Sequence, residues 1–189
     1  MRVIAGSLKG RRLKAPTWKG LRPTSDRLRE TLFNILAPRM AGARLVDVFS
    51  GTGALGIEAL SRGAAHVTFI EQDPRAGALI ADNLARCGVT DGYTLVQDDA
   101  GRALEGLRRE APADLVLLDP PYGTDRRAVE RILGAAGEIV APGGVVVLER
   151  ARRVTAPDAA GRLVRSRDVI SGDSALTVYA TESPLPVRD

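Results

Sequence analysis

Two short stretches of this 189-residue chain carry residue types that could do chemistry. The first is DVFSGTGALG at 47–56, in which Asp47 and Ser50 lead into Gly51, Thr52 and Gly53, and Gly56 follows three residues later. Glycines at this spacing let a backbone approach a ligand closely and present helix N-terminal amides to it, when a strand enters the turn and a helix leaves it. Glu71 stands 20 residues after Gly51. An acid there can accept hydrogen bonds from the ribose hydroxyls of an adenosine cofactor; it reads otherwise as a plain carboxylate at a strand end. On these features alone a dinucleotide such as NAD and S-adenosylmethionine fit equally well. The second stretch, Asp119-Pro120-Pro121-Tyr122, separates them. An exocyclic base amine is a poor nucleophile because its lone pair is delocalised into the ring, so a site must draw on its N–H bonds to turn that lone pair toward a methyl donor. Asp119 can accept one such hydrogen bond, and a backbone carbonyl of the Pro-Pro stretch, that of Pro120, the other. Tyr122 offers a ring on which an extruded base can stack. Hydride transfer would instead call for an acid/base such as histidine near this edge, and the one histidine, His66, lies ahead of the second strand.

These residues need a scaffold, and the hydrophobic pattern supplies one. Apolar, largely β-branched runs at 45–49, 67–71, 94–98, 114–119 and 145–149 read as strands. Helical patterns alternate with them, beginning near Ala54, Pro74, Gly101 and Arg126, with Gly63 and Gly88 as C-terminal caps. This alternation predicts an α/β, Rossmann-like fold, a mostly parallel sheet covered by helices on both faces, whose ligands bind at the carboxyl ends of the strands. Runs at 163–170 and 175–181 read as a terminal hairpin, and Pro142-Gly143-Gly144 as a turn feeding the fifth strand. Ahead of the sheet, residues 2–14 read as a hairpin. Thr24-Ser25-Asp26 caps a helix with Leu28, Leu32, Ile35 and Leu36 on one face, stopped by Pro38. The expected division is a basic hairpin and helix at 1–39 followed by a catalytic domain at 40–183.

Charge marks that division. Residues 1–44 hold eleven Lys or Arg against two acids, whereas the remainder holds 16 basic against 21 acidic residues. A compact basic leader carrying Arg2, Lys9, Arg11, Arg12, Lys14 and Arg22 suits a polyanion, because neutralising phosphates releases condensed counterions; a solvated basic tail is the alternative. Trp18 reads either as a base-stacking ring or as an anchor for this leader. Composition is that of an ordinary folded protein, 44% hydrophobic and 26% charged, with no apolar run of the roughly 18 residues a membrane span needs. One cysteine, Cys87, and one histidine allow neither an internal disulfide nor a Cys/His metal site, and Cys87 is expected to pack as a small apolar group. The expectation is a cytoplasmic monomer without metal or membrane attachment.

Taken together, DVFSGTGALGIEALSRGA, FIEQD, QDDA and LLDPPY resemble the class I S-adenosylmethionine-dependent methyltransferases that act on amines. The leader RVIAGSLKGRRLKAP followed by LRPTSDRLRETLFNIL narrows the resemblance to the bacterial 16S rRNA (guanine-N2)-methyltransferase family RsmD, which modifies the guanine numbered 966. The likeness extends from Arg2 to about Thr181. It implies a seven-stranded sheet with the last hairpin inserted antiparallel, S-adenosylmethionine as cofactor, and 16S rRNA or an assembling small ribosomal subunit as partner. By position it implies that Asp47, Ser50, Gly51, Thr52 and Gly53 line the methionine end of the cofactor. Glu71 would hold its ribose, Gln72 would pack beside its adenine, and Asp99 with the Ala100 backbone would meet that ring. It also implies that Arg22 and Thr24 close over cofactor or target. Asp119, Pro120, Pro121 and Tyr122 would orient the target amine. DNA adenine or a protein glutamine as target, an NAD-dependent oxidoreductase, and a non-catalytic RNA-binding module are the competing readings.

Overall fold

The computed structural model describes residues 1–18, 24–121 and 123–181. Ser25 opens α1 (Asp26–Leu36) by accepting a hydrogen bond from the Leu28 amide, and the apolar stripe Leu28, Leu32, Phe33 and Leu36 is buried. Pro38 falls in the 3-10 turn Ala37–Arg39 that ends the helix. From there strand and helix alternate through β1 (Arg44–Val48), α2 (Ala54–Ser61), β2 (His66–Ile70), α3 (Pro74–Cys87), β3 (Tyr93–Val96), α4 (Ala100–Leu107), β4 (Ala113–Leu118), α5 (Arg126–Ile139) and β5 (Val140–Ala151). The chain closes with β6 (Ala159–Ala160), β7 (Leu163–Ser171) and β8 (Ser174–Thr181).

All eight strands form one sheet in the order β3-β2-β1-β4-β5-β8-β7-β6. The first five are mutually parallel, and β8 is inserted antiparallel between β5 and β7. The sheet therefore has one strand more than the seven expected. The extra strand is the two-residue β6, folded back onto the β7 edge through Gly161 at φ 57°. β3 ends at Val96 rather than at 98, because Asp98 and Asp99 turn out of the sheet to cap α4. Pro142, Gly143 and Gly144 lie within the long β5, opposite a register shift on β4 between Ala113 and Leu115.

Alternation along the strands sorts side chains into two cores. Leu45, Phe69, Leu115, Leu117 and Val147 face the layer built by the leader, α1, α2 and α3. Val46, Val48, Ile70, Val116, Leu118, Val146 and Leu148 face α4 and α5. The leader shares the first of these cores, since Val3 and Leu13 are buried in the same cluster as Leu28, Phe33 and Leu45.

Residues 2–14 do fold back on themselves, but the expected hairpin ladder is reduced to the single bridge Arg2↔Arg12 with flanking bonds such as Val3 N–H to the Arg11 carbonyl. The backbone groups of the outgoing arm are committed elsewhere. The fully buried Glu58 carboxylate on α2 accepts the Ile4 amide at 2.7 Å, the Ala5 amide at 3.0 Å and Arg62 Nε at 2.8 Å. Ser61 takes the next two donors, its carbonyl accepting the Ser7 amide and its hydroxyl the Leu8 amide. Gly6 permits the approach: a Cβ there would sit 1.8 Å from the Ser61 carbonyl oxygen.

A buried carboxylate satisfied by two amides and a guanidinium is costly to remove, because all three donors are then left unmatched. Glu58→Ala is expected to lower stability by about 3 kcal/mol and to speed hydrogen exchange at the Ile4 and Ala5 amides. Urea unfolding and exchange mass spectrometry measure both, and wild-type exchange in the leader would contradict the pinning.

Candidate active site

The strand ends place the chemistry. Registers of Asp47 with Leu117 on β4 and of Val48 with Ile70 on β2 bring the C-terminal ends of β1, β2 and β4 side by side. The turn leaving β1 follows from its glycines. Gly51 and Gly53 have φ of 55° and 75°, Gly53 is the N-cap of α2, and its amide bonds to the Ser50 carbonyl at 2.7 Å. Phe49 at φ 64° is the one non-glycine residue with positive φ among those described, so backbone strain sits at the entrance of this turn. Gly56 serves a different need, since a Cβ there would meet the Phe69 ring at 2.2 Å; only glycine lets α2 lie this close to β2.

Three carboxylates converge on the turn. Asp47 is almost wholly buried, with Oδ2 accepting the Gly56 amide at 3.0 Å. Its Oδ1 is buried with no hydrogen-bond partner among the described residues. Burial pushes its carboxyl up to about 8, the Gly56 amide opposes this, and the charges of Asp119 and Glu71 raise it further. Glu71 bridges the strands, with Oε2 accepting the Gly51 amide at 2.9 Å and Oε1 the Asp73 amide at 2.9 Å. A carboxylate has about four lone-pair sites, so both oxygens keep acceptor capacity. Asp119, just past β4, has Oδ2 accepting from the Thr24 hydroxyl at 3.0 Å. Burial raises Asp119 to about 6, with the Thr24 hydrogen bond acting in the opposite direction.

The Asp119 amide donates to the Val48 carbonyl at 3.4 Å, and Leu117 two residues earlier packs in the core that α2 covers, so Asp119 sits beside the strand end from which the glycine turn leaves. In the bend that follows, the Pro121 carbonyl accepts both the Thr124 amide at 3.1 Å and the Thr124 hydroxyl at 2.7 Å. Among the described residues no group donates to the Pro120 carbonyl, which remains an acceptor at the bend. Tyr122 and Arg22 lie outside the described residues.

The remaining expected residues divide between turn and edge. Ser50 and Thr52 are buried within the turn, with Ser50 Oγ lying 2.7 Å from the Asp47 carbonyl it donates to. Gln72 is exposed after β2, and Asp99 is an exposed N-cap whose Oδ1 accepts the Gly101 amide at 2.9 Å beside the buried Ala100. Asp98 is turned to Arg102 instead, with which it pairs at 2.6 Å. In the leader, Arg2, Lys9, Arg11, Arg12 and Lys14 are all exposed, and Lys14 Nζ pairs with Asp82 at 3.0 Å. Trp18 is half-buried, with the Arg75 guanidinium 5.2 Å over its ring at the start of α3.

Asn83, not foreseen from the sequence, ties leader and turn together. Fully buried on α3, it accepts the Lys14 amide at 2.7 Å and donates from Nδ2 to the Thr52 carbonyl at 3.0 Å. Its signal was present: an amide side chain on a helix face otherwise made of Ala76, Leu79, Ile80, Leu84 and Cys87.

The family model described as conserved hypothetical protein 95 matches residues 1–180. YlbH of Bacillus subtilis, a proposed rRNA methyltransferase, is 37% identical over 180 residues, covering 95% of this chain and 98% of the relative. Ribosomal RNA small subunit methyltransferase D of Escherichia coli is 43% identical over 122 residues, 65% of this chain and 60% of the relative. The solved structure of yhhF from Escherichia coli, described as a methyltransferase, superposes with TM-score 0.80 at 34% identity, covering 97% of this chain and 99% of that one.

The raised carboxyls fix a pH dependence. In the folded state Asp47 and Asp119 hold protons up to about 8 and about 6, whereas unfolded they release them near 3.8. Between those limits the folded form binds more protons, so their contribution to stability grows as pH falls from about 8 toward 4. Asp47→Asn is expected to raise stability at pH 8 by roughly 1–3 kcal/mol and to flatten this slope. Urea midpoints between pH 5 and 8 measure it, and an unchanged slope would contradict the electrostatics of the site.

Proposed function

The chain belongs to the family described as conserved hypothetical protein 95, the family of the RsmD-type methyltransferases, and from that membership we propose that it methylates the exocyclic N2 amine of a guanine in small-subunit rRNA. The guanine of the 966 type is the target this reading names. The observation that carries it is the half-buried Asp119 carboxylate beside the end of β1 from which the glycine turn leaves, next to an acceptor carbonyl at Pro120.

S-adenosylmethionine is the methyl donor, and the residues present fit it. The buried, unpartnered Oδ1 of Asp47 suits an ammonium such as that of the methionine end. Ser50, Gly51, Thr52 and Gly53 line the same turn, Glu71 keeps acceptor capacity for ribose hydroxyls, and Gln72, Asp99 and Ala100 stand at the neighbouring strand ends where the adenine is assigned. When bound, this cofactor supplies an electrophilic methyl group on a sulfonium.

The protein's own work is positioning. Asp119 accepts one N–H of the amine and the Pro120 carbonyl the other, which directs the amine lone pair out of the ring plane. Thr24 fixes one oxygen of the Asp119 carboxylate, leaving its other lone pairs for the target. Tyr122 is assigned the stacking surface. The exposed cations Arg2, Lys9, Arg11, Arg12 and Lys14, together with Arg22, grip the RNA backbone, a contact that reads shape more than sequence. Transfer from a sulfonium calls for no metal, and the reading takes the enzyme as a cytoplasmic monomer. No described helix is long and apolar enough to cross a membrane.

Asp119→Ala is expected to keep S-adenosylhomocysteine affinity within a few-fold and to abolish methylation of small-subunit particles lacking the modification, followed with labelled cofactor; near-wild-type turnover would remove the assigned role. Replacing Arg11, Arg12 and Lys14 by Gln is expected to weaken rRNA binding and reduce the slope of log K against log salt by about 2. An unchanged slope would take the leader out of the RNA interface.

A further inference from the structure

The Pro120-Pro121 bend has a second side. A cavity of about 330 Å³ opens between this bend, the start of α5 and the segment leaving β5. Its walls are largely apolar: Pro120, Pro121, Val129, Leu148, Val154 and Pro157. Neither Asp119 nor any residue of the glycine turn lines it.

The wall contributed by residues 151–157 is a built structure. The Arg150 side chain, nearly buried, pairs with Asp168 at 2.7 Å and donates to Thr177 Oγ1 at 2.8 Å. Its Nη1 donates to the Val154 carbonyl and reaches those of Ala151 and Arg152. At the far end, the buried Tyr179 hydroxyl donates to the Pro157 carbonyl at 2.9 Å. With its carbonyls drawn inward, this segment leaves the cavity residue Val154 57% exposed, and Arg152 and Arg153, which fall in sequence between the lining residues Ala151 and Val154, are exposed as well. Arg152 and Arg153 make no ion pair among the described residues. An exposed valine on the cavity wall, directly after two cations, offers a ligand an apolar face and a positive potential side by side.

We propose that this cavity receives one unstacked nucleotide of the substrate RNA, a neighbour of the methylated guanine, with its base against Pro121, Val129 and Val154 and its phosphate facing Arg152 and Arg153. The volume suits one nucleoside and falls at the small end of small-molecule pockets, roughly 300–1,000 Å³. An apolar slot with exposed cations on the segment that forms one wall matches the two parts of a nucleotide, base and phosphate. Because Pro120 and Pro121 wall the cavity and directly follow Asp119, a strand delivering its guanine to Asp119 runs over the bend and can place the next base here. The inference rests on the RNA-methylating reading and adds a second RNA contact, far in sequence from the leader.

The test uses the whole protein and a small-subunit rRNA fragment carrying 2-aminopurine immediately 5′ or 3′ of the target guanine. Wild-type binding is expected to raise emission at one of the two positions as that base leaves its stack. Val154→Glu, and separately R152Q with R153Q, are expected to lose most of that rise and to increase KM for the RNA about tenfold, with kcat at saturating RNA within twofold and S-adenosylhomocysteine affinity unchanged. Wild-type methylation of the fragment with unchanged KM and emission in both variants overturns the cavity assignment alone. A KM effect confined to assembled particles assigns the cavity to a ribosomal protein and likewise overturns it. Failure of the wild type to bind or methylate any rRNA substrate overturns the RNA reading and this inference with it.

Discussion

The site depends on holding three carboxyl groups together away from water. Asp47, Glu71 and Asp119 converge at neighbouring strand ends, and carboxylates brought together away from water repel one another and lose hydration. The fold tolerates this because donors are aimed at them: the Gly56 amide on Asp47, the Gly51 and Asp73 amides on Glu71, and the Thr24 hydroxyl on Asp119. The amides on Asp47 and Glu71 are available because Gly51 and Gly53 turn the chain in left-handed conformations and Gly56 lets α2 press onto Phe69. What stays unmatched, chiefly the buried Oδ1 of Asp47, is acceptor capacity waiting for a cationic, hydroxyl-rich or amine ligand.

The leader belongs to this arrangement as much as to any RNA. Glu58 and Ser61 pin its backbone to α2, Arg29 donates to the Arg2 carbonyl, and Asn83 links Lys14 to the carbonyl of Thr52 in the glycine turn. Basic side chains are thereby displayed on a segment whose backbone is bonded to the elements that form the glycine turn. Thr24, at the end of the same N-terminal region, reaches the Asp119 carboxylate itself. Basic leader, glycine turn and Asp119 carboxylate are parts of one hydrogen-bonded assembly.

The features legible in the sequence were those that rest on local pattern. Strand and helix alternation, the Ser25 cap, the Gly88 cap with its φ of 73°, the glycine turn and the placement of Asp119 at a strand end all follow from residue type and spacing. Less legible was whatever depends on long-range partners. The leader's periodicity reads as a hairpin, yet the acceptors for its amides lie more than 50 residues away on α2. Glu58 and Asn83 look like ordinary helix polar residues until packing buries them. Net charge misled in a similar way: the chain after residue 44 is acidic overall, so Arg152 and Arg153 attract no notice until the fold exposes them on the segment that walls a cavity beside the Pro-Pro bend. The additional strand, β6, is two residues long, too short for any periodicity to announce.

The central claim is that the glycine turn and Asp119 enclose one shared space. A crystal structure of the chain with S-adenosylhomocysteine tests it most directly. The account predicts the ligand's amino group at Asp47 Oδ1, its ribose hydroxyls on Glu71, and its sulfur turned toward Asp119. A ligand seated in the cavity beyond the Pro-Pro bend, or one whose sulfur faces away from the Asp119 carboxylate, would contradict it.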